Sequence, residues 1–414
     1  MSHHVSTEFV HQVILYGMFR YAASIILTLA LLGLARQTTG GPPQDAVPIV
    51  QVVDGHRRAL SLPAEPYNYA RIALPDHVAS VADRFDNTPG DNPITDHGAT
   101  LGRVLFYDKT LSVNGSTSCA SCHLQKFAFT DNKKRSIGFD GAQVRRNSMS
   151  LVNLRYYARG RFFWDERAAS LEAQVLMPIE NAVEMGHRLD DLVPQLQADP
   201  IYPPLFHNAF GDPNVTEDRI ANALAQFVRS IVSFHSRYDI GRSQVDSVLE
   251  PFPNFTAQEN YGKEQFFGRA KCADCHLPDE RHPSSGKRQS AFFHLAKPTV
   301  NGVDSDSPTV DRGVGEHTGR SSDVGRFKAS SLRNIELTSP YMHDGRFITL
   351  DQVVEHYNWS VRPHDNLDPL LEDFAANGLA LPEVEKVALT QFLLTLSDHE
   401  LTGDPKFSDP FTDR

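Results

Sequence analysis

Apolar residues recur at helical spacing in five separate segments of the chain. These segments cover residues 170–176, 217–238, 256–267, 350–357 and 382–396. Apolar residues three or four positions apart line one face of a helix, which then packs on a core. We find no run of alternating apolar and polar residues of the kind that predicts strands. The chain is therefore predicted to be mainly α-helical.

Breaks in this pattern predict the domain organisation. Residues 241–255 include Pro251 and Pro253 and separate two halves of similar size. We predict an irregular linker over residues 36–84, an N-terminal domain over 85–245, a C-terminal domain over 246–400 and a tail over 401–414. The segment 283–323, rich in Gly, Ser and Asp, is predicted to be a loop that covers a site between the halves.

A weak internal repeat relates the two halves. Gly102 and Arg103, followed by an aromatic pair at 106–107, recur as Gly262 and Lys263, followed by an aromatic pair at 266–267. The repeat predicts that each half contains the same helical unit.

The N-terminus has the pattern of an export signal. An apolar run over residues 21–35 follows Arg20 and ends in small residues, so we predict a signal peptide over residues 1–35, with Met18 as the expected start of translation. A short membrane anchor is the alternative, although the run is shorter than the roughly 20 residues that span a bilayer. We expect a soluble, periplasmic protein.

Charge and composition exclude some partners. The chain has 414 residues, 40 Lys plus Arg against 51 Asp plus Glu, and a formal net charge of -11. Proteins that bind nucleic acid or anionic membranes neutralise phosphates with clustered basic residues, so we predict neither partner.

All four cysteines lie in two copies of the motif C-x-x-C-H. The copies are Cys119, Cys122 and His123, and Cys272, Cys275 and His276. This spacing is typical of c-type haem, in which two thiols attach the porphyrin and the histidine binds the iron. Zinc binding and a redox-active dithiol are the alternatives. We predict two covalently bound haem c groups.

The first haem is predicted to have an open coordination position. No histidine occurs from Leu124 to Gly186. Met149, Met177 and Met185 are the remaining candidate ligands, and we expect them to pack in the core instead. An open iron can bind hydrogen peroxide, whereas two closed positions would indicate an electron carrier.

From about residue 99 to residue 397 the chain resembles the bacterial dihaem cytochrome c peroxidases and their MauG-type relatives. Beyond the haem motifs, the resemblance covers LGR at 101–103, Phe106, LS at 111–112, RN at 146–147, FWD at 163–165, SLE at 170–172, Gln174, PI at 178–179, EM at 184–185, FKASSLRN at 327–334 and PYMHDG at 340–345. It implies two cytochrome c-like helical domains, each carrying one haem.

The resemblance also implies roles for single residues. The N-terminal haem would carry the peroxide chemistry, and Trp164 would relay electrons to the C-terminal haem. Gln174 and Glu184 match the distal-pocket pair, and Pro178 matches a proline that shapes the open pocket. The alternatives are a buried aromatic anchor for Trp164, a solvated charge for Glu184 and a helix-starting proline for Pro178.

Further positions match residues around the second haem. A calcium ion is implied between the haems, held by Asn147, Thr338 and Pro340, for which ordinary turn residues are the alternative. His343 matches a histidine close to the second haem. Lys328 and Arg333 are expected to pair with haem propionates.

Tyr357 departs from the peroxidases and matches the MauG-type relatives. It lies fourteen residues after His343, where the peroxidases carry a methionine ligand. A tyrosinate is a hard anionic ligand that stabilises oxidised iron, so Tyr357 predicts a second haem suited to high oxidation states. Met342 and His356 are the competing ligands, and a core tyrosine is the structural alternative.

These residues predict a peroxidase-type oxidoreductase that reacts with hydrogen peroxide at the first haem and shares the oxidising equivalents with the second. A MauG-like enzyme would oxidise a partner protein. The alternatives are an ordinary peroxidase, which receives electrons from a small cytochrome c or cupredoxin, and a non-catalytic electron carrier.

Overall fold

The computed structural model describes residues 47–53, 56–277, 280–305 and 311–413, with side chains from residue 60 to residue 412 of these ranges. The predicted signal peptide and the expected start at Met18 lie outside the described residues. Within the described part, no helix is both long enough and apolar enough to cross a membrane.

The described part is mainly helical, which confirms the predicted fold class. The helices are Asp76–Ala82, Asp96–Tyr107, Cys119–Cys122, Leu171–Glu180, Leu189–Ala198, Tyr202–Phe210, Glu217–Ser230, Arg237–Arg242, Ala257–Phe267, Cys272–His276, Gly315–Thr318, Leu350–Trp359, Glu372–Asn377 and Glu383–Leu394. Short 3-10 helices cover Lys109–Leu111, Gln125–Phe127, Leu154–Tyr156, Ser321–Asp323, Ile335–Leu337, Pro369–Leu371, Glu400–Gly403 and Pro405–Phe407.

The helix predicted over residues 217–238 ends earlier than its apolar pattern suggests. It stops at Ser230, and a new helix begins at Arg237. Asn153 explains the break, because its backbone N–H donates to the carbonyl of Ile231 and its side-chain oxygen accepts from the N–H of Ser233. These tertiary hydrogen bonds replace helical ones, so apolar spacing alone could not locate the end.

The internal repeat corresponds to the same helix crossing in both halves. In the first half, Gly102 lies against the backbone of Ala223 on the helix Glu217–Ser230. In the second half, Gly262 lies in the same way against Ala388 on the helix Glu383–Leu394. A side chain at either glycine would overlap the facing carbonyl, so both glycines permit close helix packing.

The hydrophobic side chains form two large clusters. One extends from Leu60 to Ile231 and also takes in residues from the chain's end, and the other extends from Tyr238 to Leu396. Each cluster contains one of the two glycine crossings. Each cluster also packs around one of the C-x-x-C-H motifs.

The linker predicted over residues 36–84 contains regular structure in its described part. The strand Val47–Val53 pairs antiparallel with His56–Leu62, which also pairs with Phe411–Asp413 at the end of the chain. The helix Asp76–Ala82 follows. The dipeptide Asp54-Gly55 between the first two strands is typical of β-hairpin turns, so the sequence did contain a signal for this pair of strands.

Candidate functional site

The first C-x-x-C-H motif begins on a single helical turn. Ser118 caps the N-terminus of the helix Cys119–Cys122, and its backbone N–H donates to the hydroxyl of Ser121 at 3.0 Å. Burial raises the pKa of Cys119 to about 12, and that of Cys272 in the second motif to about 12. Neither thiol is therefore the activated thiolate that a redox-active dithiol requires.

His123 has the hydrogen bond expected of an iron ligand. Its Nδ1 lies 2.9 Å from the carbonyl oxygen of Phe129 and 3.3 Å from the hydroxyl of Ser148. Because the carbonyl can only accept, Nδ1 carries the proton, and Nε2 is left as the metal-binding nitrogen. Burial lowers the pKa of His123, which keeps the imidazole neutral and suits it to bind metal.

Glu184 faces the first site. Its carboxylate is close enough to Cys119 and Cys122 to raise the pKa of both thiols, so it belongs to the same site. Burial raises the pKa of Glu184, while the nearby Arg167 acts in the opposite direction. The side chain of Asn181 accepts hydrogen bonds from the N–H groups of Val183 and Glu184, at 2.9 and 3.2 Å, and so fixes the turn.

Gln174 and Pro178 lie four residues apart on the helix Leu171–Glu180, which leads into the Glu184 turn. Residues at this spacing share a helix face. Pro178 lies in the last turn of the helix, so the alternative of a helix-starting proline is wrong. Since proline has no N–H, the carbonyl of Gln174 loses its usual helical partner.

The three methionines of the first half have different environments. Met185 is buried in the core, as predicted. For Met177 the prediction of core packing is wrong, because its side chain is 39% exposed. Met149 lines a cavity of the second half rather than the first core.

A cavity of about 440 Å³ surrounds the second C-x-x-C-H motif. Among the residues that line it are the predicted site residues Cys272, Cys275, His276, Tyr357, His343, Lys328, Trp164, Asn147, Thr338 and Pro340. The surface of the cavity is mainly apolar, as a porphyrin site requires. Residues from both halves and from the loop 283–323 meet there.

His276 fits the role of an iron ligand in this cavity. It is half-buried and lines the cavity, and desolvation lowers its pKa to about 4. Its Nδ1 has no hydrogen-bond partner among the described residues, unlike that of His123. Neither motif brings three metal-binding side chains of the described residues within 4.8 Å of one another, as zinc would require. The residues therefore fit haem c in both sites.

Of the three candidate second ligands, Tyr357 and Met342 line the cavity, whereas His356 is not among its lining residues. His356 instead hydrogen-bonds the carbonyl oxygen of Asn301 through Nε2 at 3.0 Å. Burial raises the pKa of Tyr357, and a hydrogen bond from Asn301 opposes this effect.

Trp164 connects the two halves. Its Nε1 donates to the carbonyl of Asn147 at 2.8 Å, and its own carbonyl accepts from the N–H of Lys328 at 2.7 Å. Its ring meets His343 edge-on at 6.5 Å, and His343 stacks on Phe327 at 3.8 Å. The aromatic contacts thus continue from the first half into the second.

The loop 283–323 is attached to the segment that carries Trp164. Arg146 pairs with Asp311 of the loop at 2.8 Å and with Asp165 at 2.6 Å. Asp165 directly follows Trp164. The loop also supplies Thr299 and Asn301 to the wall of the cavity.

The predicted calcium residues lie together on the cavity wall. Asn147, Thr338 and Pro340 all line it. The side-chain nitrogen of Asn147 donates to the carbonyls of Lys133 and Lys134, at 3.0 and 3.4 Å, which directs its side-chain oxygen away from them. An oxygen donor set of this kind suits calcium, and calcium binding stays a prediction.

The two predicted propionate partners have different environments. Lys328 lines the cavity, and burial lowers its pKa to about 8. Arg333 does not line this cavity; it forms a two-pronged ion pair with Asp239 at 2.9 Å and donates to the carbonyl of Ala291 at 2.6 Å. The role of Arg333 as a propionate partner stays a prediction.

Three residues near the sites carried no sequence signal. Ser148 hydrogen-bonds His123 and also lines the second cavity, so it lies between the two sites. Asn301 contacts the candidate ligands of the second site. His294 is buried beside Lys328 and His276, and burial lowers its pKa to about 3. Each belongs to irregular chain, where only the tertiary structure shows what a polar residue contacts.

Two helical halves, each with a C-x-x-C-H motif and a neutral histidine, define a dihaem c-type cytochrome with one carboxyl-lined site. The family model of the di-haem cytochrome c peroxidases matches residues 96–244. The chain belongs to this family.

Relatives extend the similarity beyond the first half. The methylamine utilization protein MauG of Methylorubrum extorquens is 34% identical over 74% of this chain and 80% of its own length. The cytochrome c551 peroxidase of Nitrosomonas europaea is 35% identical over 62% of this chain and 71% of its own. The crystal structure of a MauG-like protein associated with microbial copper homeostasis is 33% identical, with a TM-score of 0.68, over 82% of this chain and 99% of that one.

The family membership establishes the coarse function. The protein is a peroxidase-type oxidoreductase with two haem c groups. Its substrate is a peroxide, and its reaction requires an electron-donor protein in the general sense of the family.

Proposed function

We propose that the protein is a MauG-like enzyme, in which both haem sites share the oxidising equivalents of hydrogen peroxide and pass them to a partner protein. The single observation that carries this proposal is Tyr357, which lines the same cavity as His276. A phenolate oxygen is a hard anionic ligand and suits oxidised iron, whereas a thioether favours the reduced state.

Glu184 is the proton-transferring residue of this proposal. Haem, when bound, would supply the two electrons that reduce peroxide. Cleavage of the O–O bond needs one proton moved from the inner to the outer peroxide oxygen, and a positioned carboxyl can do this. The raised pKa of Glu184 brings it closer to the neutral range, where one group can both accept and return a proton.

Trp164 is the electron relay between the sites. It belongs to the first half, lines the second cavity and contacts His343. Its indole N–H is tied to Asn147, whose neighbour Ser148 hydrogen-bonds His123. One short segment therefore contacts the proximal histidine of the first site and the relay to the second.

Calcium bound by Asn147, Thr338 and Pro340 would hold this segment in place. The three residues come from both halves of the chain, so an ion shared by them would fix the distance between the sites. We place the protein in the periplasm, where covalent haem attachment and partner proteins of this class occur; the predicted signal peptide supports this location.

An ordinary peroxidase is the second candidate, and Met342 supports it. Met342 also lines the cavity, so a thioether is within the same site as the phenol. In that case a small cytochrome c or cupredoxin would donate two electrons, which with two protons convert peroxide to two water molecules.

Electron paramagnetic resonance of the fully ferric protein tests the proposal. Before peroxide we expect one high-spin and one low-spin haem signal, and one equivalent of peroxide without a donor should remove both. If peroxide reacts only after the second haem is reduced, the ordinary peroxidase is correct. Two low-spin signals that peroxide leaves unchanged would indicate an electron carrier.

A Tyr357→Phe variant tests the ligand itself. Its low-spin signal should change or be lost, because the phenyl ring has no oxygen to bind iron. Haem content and circular dichroism verify that the variant is loaded and folded. An unchanged low-spin spectrum would exclude Tyr357 as a ligand.

A further inference from the structure

Asn301 contacts all three residues that compete for the second haem. Its side-chain nitrogen Nδ2 donates to the sulfur of Met342 at 3.4 Å. Its backbone carbonyl oxygen is 3.0 Å from Nε2 of His356. Its side-chain amide also lies near the hydroxyl of Tyr357 and acts to lower the pKa of that phenol. One residue of the loop therefore touches a thioether, an imidazole and a phenol that could each bind iron.

The orientation of the Asn301 amide follows from its neighbours. Its side-chain oxygen accepts from the backbone N–H of Val303 at 3.3 Å, which directs the NH₂ group toward Met342 and Tyr357. An amide NH₂ group carries two N–H donors, one for each of these side chains. The assignment of nitrogen and oxygen therefore rests on the hydrogen-bond network.

The backbone around Asn301 is held firmly in place. Gly302 follows it with a φ of +70°, and a Cβ there would lie 2.6 Å from a side-chain carbon of Val361. The carbonyl of Gly302 accepts from the N–H of Arg362 at 2.8 Å, and the carbonyl of Val300 accepts from the N–H of Asp368 at 3.2 Å. The loop cannot shift without breaking these bonds.

We propose that Asn301 is a positioning residue whose side chain keeps Met342 off the second haem iron and presents Tyr357 to it, while its backbone carbonyl holds His356 outside the cavity. The proposal rests on the proposed function, in which Tyr357 is the ligand. Asn301 itself does not touch the reacting atoms.

The chemistry of the three acceptors explains how one residue can select among them. A thioether sulfur is a weak acceptor, and an N–H directed at it competes with iron for its electrons. The Nε2 of His356 is already used by a carbonyl. A phenolate oxygen has several lone pairs, so it can accept an N–H and still bind iron, and the donated hydrogen bond favours its anionic form.

An Asn301→Leu variant of the haem-loaded protein tests the proposal. Leucine has a similar volume and no N–H, so Met342 should be released to bind iron. We expect the near-infrared charge-transfer band of a ferric thioether-ligated haem to appear, together with a changed low-spin signal. The double variant Asn301→Leu with Met342→Leu should lose that band again, which identifies the sulfur as its source.

Asn377→Leu provides the matched control, because Asn377 is exposed at the end of a helix in the same half. Its spectrum should equal that of the original protein. If Asn301→Leu does not fold, Asn301→Ser retains a small polar group without the two-donor amide and should give the same band more weakly. Haem content separates misfolding from ligand exchange.

The outcomes separate this inference from the proposed function. An Asn301→Leu spectrum that is unchanged, or that turns high-spin with no thioether band, would overturn the role of Asn301. If Tyr357→Phe leaves the original spectrum unchanged, Tyr357 is not the ligand, and both the proposed function and this inference fail. A changed Tyr357→Phe spectrum with an unchanged Asn301→Leu spectrum removes only the inference.

Discussion

At the scale of single residues, hydrogen bonding distinguishes the two histidines predicted to bind iron. Nδ1 of His123 donates to the carbonyl of Phe129, whereas Nδ1 of His276 has no partner among the described residues. A proximal histidine that donates such a bond becomes a more basic ligand and stabilises oxidised iron. The two sites therefore differ in the hydrogen bonding of these histidines.

Glu184→Gln should slow the reaction with peroxide by about 10² to 10³-fold, since an amide cannot carry the proton. In the original protein the carboxylate form accepts that proton, so the rate should rise with pH through the pKa of Glu184. Burial raises this pKa, so the midpoint should lie above the usual value of 4.5. The variant should lack this pH dependence.

Stopped-flow spectroscopy of the haem bands measures both effects. Glu180→Gln is the control, because Glu180 is exposed at the end of the helix that precedes the Glu184 turn. An equal rate in the two variants would show that Glu184 transfers no proton.

At the scale of helices, both halves depend on a glycine at a helix crossing. Gly102→Ala and Gly262→Ala should each lower the free energy of unfolding by about 1 to 3 kcal/mol. The new methyl group would overlap a backbone carbonyl of the facing helix, which can move only if the helix moves with it. Urea unfolding monitored by circular dichroism measures the loss.

Gly90→Ala is the matched control for these helix variants. A Cβ at Gly90 would have no atom within 4 Å, so the substitution should leave stability nearly unchanged. If Gly102→Ala and Gly262→Ala were as stable as Gly90→Ala, the two helix pairs would not be closely packed.

At the scale of the whole molecule, the end of the chain belongs to the first half. The side chain of Phe407 is 1% exposed and lies in the first cluster, beside Tyr69 and Phe129. The carbonyl of Lys406 accepts from the hydroxyl of Tyr69 at 2.7 Å and from Arg103 at 3.1 Å. The last residues thus close the core that begins near Leu60.

Phe407→Ala should therefore destabilise the first half by about 3 to 5 kcal/mol, because it leaves a cavity in that core. To assign the loss to the first half, the reaction of the first haem with peroxide is measured at urea concentrations that unfold only part of the protein. Leu249→Ala, a substitution at a side chain that is 72% exposed, should have little effect. Loss of stability confined to the second half would contradict this assignment.

A buried ionic group joins three distant parts of the chain. Asp239 lies 3.1 Å from Nε2 of His77 and 2.9 Å from the guanidinium of Arg333. Breaking such a group leaves an unpaired buried charge, so Asp239→Asn should cost about 3 to 5 kcal/mol. Asp190→Asn, at an exposed position, is the control for urea unfolding.

The same group predicts how stability depends on pH. Burial lowers the pKa of His77 below 6.5, so the unfolded chain binds more protons, and stability should fall as pH drops below 6.5. Although burial opposes it, the pairing with Arg333 and His77 lowers the pKa of Asp239, which adds a further loss below 3.8. Asp239→Asn should lack this second loss of stability. Urea midpoints measured at several pH values test this, and a loss below pH 3.8 that persists in Asp239→Asn would contradict the assignment to Asp239.

Local signals in the sequence predicted the chemistry of the protein and most of its helices. In each haem motif two residues separate the cysteines, and the histidines His123 and His276 directly follow Cys122 and Cys275, so the motif is recognisable without tertiary information. Helical spacing located four of the five predicted helices, since burial of one face imposes that period wherever the helix lies.

The tertiary structure alone decided the features that depend on contacts between distant residues. Asn153 ends the helix at Ser230, Arg333 pairs with Asp239, and Asn301 reaches Met342. Each is a polar group whose partner is far away in sequence, and a hydrogen bond leaves no periodic pattern in the chain. The sequence by itself therefore determined which groups the protein carries, and the packing of its two halves determined what each of them contacts.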